Sequence, residues 1–297
     1  MPTSNTLLLV TGASGPFGKL VVHHLLTTFH VSPTRIVAGT RDPSKLQELA
    51  DKGVQVRKID FNDLNTVTKA ATGVERALLV STDEFLHRET AQIAAVEAFV
   101  KACVKHIAYT SLQGADKSIF AANHSHLATE EAIKASTGSY TLLRNGLYFE
   151  NNLGWIAGAL KTGQWFTAAK DGKASLLSRD DLARAAAFVL SSDSTENHVY
   201  ELTGSEALTI DEIADQVSKS LKKPIEVVHV SVEELANTIS ETTGLPAFAG
   251  KLLATLDAST AAGLASDVTG DFEKLMGVMP RTHREWLEAN KTFLLSL

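Results

Sequence analysis

Seven residues near the start of the chain, Gly12-Ala13-Ser14-Gly15-Pro16-Phe17-Gly18, have the make-up of an anion-binding turn. The pyrophosphate of a dinucleotide needs main-chain N–H donors and a close backbone approach. Glycine permits both, and a helix starting at the turn adds a partial positive charge. The spacing is G-x-x-G-x-x-G, not the commoner G-x-G-x-x-G, so its context must carry the argument. Leu7-Leu8-Leu9-Val10 precedes it as a continuous apolar strand, and Phe17, Leu20, Val21, Leu25 and Leu26 follow it at helical spacing.

A second strand ends at Gly39-Thr40-Arg41. Proteins that select NAD usually place an acid at such a strand end to hold the ribose 2′-hydroxyl. Here Arg41 offers a planar fork suited to a 2′-phosphate, and Lys45 adds a second cation, so NADPH is expected over NADH. Asp42, the nearest acid, is expected to cap a helix whose first residue is Pro43 and whose stop is Gly53. Two more strand ends join the candidate cofactor site. Asp60-Phe61 offers a carboxylate and a ring to an adenine, and Val80-Ser81-Thr82 leads toward the ribose and nicotinamide. Three residues are candidates for the reaction itself: His126 to polarise a carbonyl or supply a proton, Asn145 to orient an amide or donate to the acceptor, and Tyr148. Tyr148, Phe149, Trp155, Trp165 and Phe85 together offer a flat apolar cleft for a ring-shaped acceptor.

These residues need a scaffold. Strands are expected at 7–10, 35–40, 54–59, 76–80, 107–110 and 140–143. Helices are expected between them at 16–29, 43–52, 63–71, 88–103 and 124–136. Such alternation implies right-handed crossovers and a doubly wound parallel sheet, an α/β fold of Rossmann type. The pattern loosens after residue 147. Helices at 180–191, 209–221 and 231–242, short strands at 199–202 and 225–230, and a mostly helical tail read as a smaller mixed α/β lobe. Two domains are therefore expected, 1–147 for the cofactor and 148–297 for the substrate, with some later segments returning to the first. The stretch Ser178-Arg179-Asp180-Asp181 reads as an architectural helix start in the second lobe.

The 297 residues carry 28 Lys and Arg against 34 Asp and Glu, a formal charge of −6, which argues against a nucleic-acid surface. A single cysteine, Cys103, excludes an internal disulfide and a thiolate cage; it is expected to pack as a small hydrophobe on its helix. His23-His24 and His124/His126 lack the i,i+4 spacing of helical metal ligands, so no metal is expected. With no signal-like N-terminus and no apolar run long enough for a membrane span, a cytoplasmic location with no membrane partner follows. A homodimer stays open.

Taken together, Thr11-Gly12 through Gly18, Arg41-Asp42-Pro43, Ile107-Ala108-Tyr109-Thr110-Ser111, His126-Leu127-Ala128-Thr129-Glu130 and Tyr140 through Gly146 resemble the NmrA-like group of atypical short-chain dehydrogenase/reductases. Within that group the resemblance is greatest to the bacterial NADPH:quinone oxidoreductases and the triphenylmethane-dye reductases. It spans nearly the whole chain, dense to about residue 204 and thin afterwards. It implies that Gly12 to Phe17 hold the pyrophosphate and Arg41 the 2′-phosphate. It also implies that Val80 to Thr82, with Asn145, Gly146, Leu147 and Tyr148, flank the nicotinamide end.

One departure bears on the chemistry. Where ordinary short-chain dehydrogenases carry Tyr-x-x-x-Lys as proton donor, this chain reads His126-Leu127-Ala128-Thr129-Glu130. A simple ketone becomes a basic alkoxide and needs a positioned acid. A quinone becomes a stabilised phenolate, and a cationic dye needs no proton. The expected function is therefore an NADPH-dependent oxidoreductase passing hydride to a small quinone-like or otherwise conjugated, electron-poor acceptor. The alternatives are a non-catalytic NADP-sensing regulator and an imine, enone or dye reductase of the same fold.

Overall fold

The computed structural model describes residues 6–82, 84, 87–136 and 138–297. β1 (Leu7–Val10) feeds α1 (Pro16–Thr27), followed by β2 (Ile36–Thr40), α2 (Gln47–Asp51), β3 (Gln55–Lys58), α3 (Leu64–Ala71), β4 (Val74–Leu79) and α4 (Arg88–Lys101). Next come β5 (His106–Leu112), α5 (Asn123–Lys134), β6 (Ser139–Asn145), α6 (Leu153–Thr162), β7 (Gln164–Thr167), α7 (Arg179–Ser191) and β8 (His198–Leu202). The chain ends with α8 (Ile210–Leu221), β9 (Glu226–His229), α9 (Val232–Thr243), α10 (Ala247–Ala261), α11 (Asp271–Met276) and α12 (His283–Leu294).

Seven strands form a parallel sheet in the order β3-β2-β1-β4-β5-β6-β8. Val10 on β1 stands opposite Ala38 on β2 and Leu78 on β4. The strand order reverses between β1 and β4, and in open sheets ligands bind beyond the carboxyl ends of the strands at such a switch point. Leu8, Leu9 and Val10 are fully buried, as the continuous apolar run requires when helices cover both faces.

The chain divides into two compact units. The first holds residues up to Leu112, His124–Arg144 and Asp180–Tyr200; the second holds Gln113–Asn123, Asn145–Arg179 and Glu201–Leu297. In the first, the buried Arg76 of β4 donates to the carbonyls of Val189, Leu190 and Ser194 at 2.9–3.2 Å, capping the C-terminal end of α7. In the second, β7 and β9 pair in parallel beside a core containing Phe149, Ile156, Trp165, Val217 and Trp286. Three of its helices open with reciprocal capping boxes: Thr209 with Glu212, Ser231 with Glu234, and Thr282 with Glu285.

Several expectations change. α6 and β7 fall where the alternation was read as loosening, although Leu153, Ile156, Ala159 and Leu160 share a helical face and Gly163 stops the helix in a left-handed conformation (φ +79°). Cys103 is exposed and lies past the end of α4 at φ +64°, so it does not pack in the helix. Phe149 and Trp165 are core residues rather than cleft walls, and Phe85 lies outside the described residues. Among the described residues no helix is long and apolar enough to cross a membrane.

Candidate functional site

The glycine loop is shaped by close approaches. Gly12 takes a left-handed conformation (φ +61°), and a Cβ on Gly18 would overlap the Gly12 carbonyl and lie 2.9 Å from the Ala13 Cα. This crowding seats the start of α1 directly on the turn. Gly15 flanks the helix in extended conformation and Pro16 follows at the first helical position, where its missing N–H costs nothing. Two loop amides are used internally: Ala13 donates to Gly39 O and Gly15 to Gly12 O, both at 2.9 Å. The first turn of a helix leaves main-chain amides without intrahelical acceptors, and α1 opens at this loop. Phe17, buried, anchors the loop in the core.

The neighbouring strand ends are tied to this loop. Ser14 Oγ and Thr40 Oγ1 stand 2.8 Å apart, so the loop touches the end of β2 one residue before Arg41. Arg41 is exposed and has no hydrogen bond or ion pair among the described residues. Asp42 accepts from the Ser44 N–H (3.1 Å) and hydroxyl (2.6 Å), and these bonds, with Lys45 nearby, hold its carboxyl below the usual range. It caps a short 3-10 turn, Pro43–Leu46, that leads into α2. Asp60 accepts from Asn62 N at 3.0 Å, a turn-capping bond, while Phe61 packs half-buried against the core of the first unit.

Past the end of β4, three consecutive amides leave the sheet, and each finds a side chain. Val80 N donates to Thr11 Oγ1 (2.9 Å), Ser81 N to Thr110 Oγ1 (2.8 Å) and Thr82 N to Gln92 Oε1 (3.0 Å). Gln92 continues inward, donating to Tyr109 Oη (3.0 Å) and Thr129 Oγ1 (2.9 Å). Tyr109 Oη also meets His126 Nδ1 at 2.8 Å, and Arg88 Nη1 reaches His126 Nε2 at 3.3 Å. A guanidinium only donates, so Nε2 accepts and the imidazole proton sits on Nδ1. Burial, and then the Arg88 charge, lower the His126 pKa to about 3, far below the near-neutral value behind its expected role as proton source. Burial pushes the Tyr109 phenol well above its ordinary range. The sequence gives none of Arg88, Gln92, Tyr109 and Thr129 a site role: Arg88 and Gln92 share α4, but Tyr109 lies on β5 and Thr129 on α5, and no local spacing joins the three elements.

Glu130, four residues after His126, is fully buried on α5. Arg144 donates to both its oxygens (Nε at 2.9 Å, Nη2 at 2.8 Å), and the Ser111 hydroxyl donates at 2.6 Å. The position where ordinary short-chain dehydrogenases hold a lysine is thus a locked ion pair between α5 and β6.

In the second unit, Gly146 is held by its N–H to Leu202 O (2.8 Å), and a Cβ there would lie 3.1 Å from Ser175 O. Leu147 packs half-buried on the core. Asn145 is buried; its amide borders the Tyr148 phenol, yet neither amide atom completes a hydrogen bond. Tyr148 is half-buried, with the Arg179 guanidinium carbon 5.4 Å from its ring centroid. Burial raises the Tyr148 pKa, an effect that Asn145 and Arg179 partly offset.

A switch-point loop, a closely seated helix and a free guanidinium beside it define a Rossmann-type α/β protein built around a dinucleotide turn. The chain belongs to the NmrA-like family, which it matches over residues 4–287. It is 37% identical to quinone oxidoreductase 2 of Escherichia coli (strain K12) over 271 residues, 91% of this chain and 94% of that one. The crystal structure of an NADPH-dependent quinone oxidoreductase from Escherichia coli complexed with NADPH matches with a TM-score of 0.90 at 36% identity, covering 95% of this chain and 99% of that one. Triphenylmethane reductase of Citrobacter sp. complexed with NADP(H) matches with a TM-score of 0.87 at 33% identity, again over 95% and 99%.

Proposed function

We propose that this protein is an NADPH-dependent reductase that passes hydride to quinones and similar conjugated, electron-poor acceptors. The residues present suit a dinucleotide: Gly18, with no Cβ to meet the Gly12 and Ala13 backbone, lets the N-terminus of α1 sit directly on the turn, and Asn145 buries an amide with both ends unsatisfied. NADPH supplies the hydride when bound. The loop from Gly12 to Gly18 and the start of α1 bind the pyrophosphate; Arg41, with Lys45, binds the 2′-phosphate; Asp60 and Phe61 serve the adenine. Val80 to Thr82 line the way to the nicotinamide, held in place by Thr11, Thr110 and Gln92. His126 acts as a positioning residue, fixing Tyr109 and through it Gln92. Asn145, Gly146, Leu147 and Tyr148 serve the nicotinamide and acceptor, at the start of a substrate lobe at 148–297. The Tyr148 phenol keeps its proton on Oη at neutral pH, where it donates a hydrogen bond to an acceptor oxygen as charge builds there.

The choice of acceptor rests on one observation, the Glu130–Arg144 lock. It puts a bound carboxylate where a proton-relaying lysine would stand, and acceptors that demand a strong acid are poorly served. The test is a panel of acceptors with NADPH. Naphthoquinones should be reduced and simple aliphatic ketones should not; comparable rates for the two would contradict the proposal. A cytoplasmic location is part of the same proposal, in keeping with a single cysteine.

A further inference from the structure

Arg179 ends a segment of the second unit that runs beside Tyr148. Leu177 bridges to Tyr148 in parallel, and its carbonyl accepts from Phe149 N at 3.0 Å. That pairing fixes the starting point of the Arg179 side chain, which brings its guanidinium over the Tyr148 ring. The side chain is half-buried. Among the described residues no carboxylate pairs with the guanidinium, and no acceptor takes a hydrogen bond from it. Glu150, two residues past Tyr148, is engaged elsewhere: Oε2 accepts from the Arg179 main-chain N (2.9 Å) and Oε1 from Trp286 Nε1 (3.2 Å). A guanidinium stacked on a ring but lacking a carboxylate keeps its positive field and its five donors for a ligand. At the Tyr148 phenol the influence of Arg179 exceeds the opposing influence of Glu150.

Resting on the assignment of Tyr148 to the acceptor, we propose that Arg179 sets the charge specificity of this enzyme, favouring acceptors that carry or develop an oxyanion over cationic dyes. A quinone that gains hydride takes up two electrons and one proton. One of its oxygens then stays anionic until water supplies the second proton, and that charge is what the guanidinium meets. A triphenylmethane cation gains the same hydride at its central carbon and becomes neutral. It meets repulsion from Arg179 before transfer and gains no compensating attraction afterwards.

The experiment compares wild type, Arg179→Met and Arg179→Lys on a sulfonated naphthoquinone, the unsubstituted naphthoquinone and crystal violet, each with NADPH. Arg179→Met should lower kcat/KM for the sulfonate by about tenfold or more and raise it for the dye, while Arg179→Lys retains most of the sulfonate rate. The NADPH Kd, read by tryptophan fluorescence, should stay within about twofold across the three proteins, since Arg179 is not placed on the cofactor. An unchanged sulfonate-to-dye ratio in Arg179→Met, with NADPH binding intact, overturns the proposal. Should Arg179→Met not fold, Arg179→Gln carries the same comparison. Calorimetry with naphthalenesulfonate, which accepts no hydride, gives a reading independent of turnover: wild type should bind it more tightly than the uncharged variant, and equal affinity overturns the role of Arg179. Failure of the wild type to reduce any acceptor would instead defeat the reductase assignment.

Discussion

In the proposed site Arg41, with Lys45 nearby, sets the cofactor preference. It is exposed, unpaired and one residue beyond Thr40, which is bonded to the glycine loop through Ser14. A bidentate contact with a 2′-phosphate would be lost in Arg41→Ala, which should weaken NADPH by about tenfold or more while leaving NADH nearly unchanged. Calorimetric titration with both nucleotides checks this, and equal weakening would remove Arg41 from the 2′-phosphate. The glycine turn and the exposed position of Arg41 after β2 were legible because both are local: a turn and a strand end are visible within a few residues. The Asp42 cap was legible for the same reason. The surroundings of His126 were not. Its partners Tyr109 and Arg88 lie 17 and 38 positions away, and no spacing rule joins a strand tyrosine, a helix arginine and a helix histidine. A reference pKa describes a solvated imidazole, whereas this one is buried beside a guanidinium.

At the scale of elements, the parallel sheet could be read because its strands are short apolar runs buried on both faces, and the helices between them show clear periodicity. β7 escaped notice: four residues starting straight after a helix-stopping glycine give alternation no room to register. The lock between α5 and β6 is a further feature that only folding displays. Glu130→Gln would leave the half-buried Arg144 guanidinium without the carboxylate of Glu130. Losing one member of a buried pair costs about 3–5 kcal/mol, so the urea midpoint should fall markedly. An unchanged midpoint would mean that the lock does not hold α5 on the sheet. Thr11 acts at the end of β4 in a smaller way. In Thr11→Val the Val80 amide loses its acceptor, at a cost of about 1–3 kcal/mol, and Thr11→Ser should restore most of it. Equal stability of the valine variant would show that the amide finds another acceptor.

Across the whole molecule, the chain passes five times between its two units, so neither is a single continuous stretch of sequence. Both units bury neutral histidines. Burial lowers His106 and His126 to about 3 in the first unit and His283 to about 4 in the second. An unfolded histidine titrates near 6.5, so as pH falls below that value the unfolded chain takes up protons that the folded one refuses. Stability contributed by the neutral forms is complete above about pH 6.5 and declines toward the folded values, by roughly 1 kcal/mol per pH unit for each histidine. Urea midpoints measured from pH 7 to pH 5 should therefore drop steadily, and a flat profile would contradict the buried neutral state. The proposed activity depends on hydride leaving NADPH for a conjugated acceptor. The direct measurement is a single turnover: protein loaded with NADPH is mixed with naphthoquinone while the reduced-nicotinamide absorbance is followed. That band should be lost rapidly, more slowly when the transferred hydrogen is deuterium, with hydroquinone formed in equal amount. NADPH that stays bound and unoxidised beside the quinone would contradict that activity.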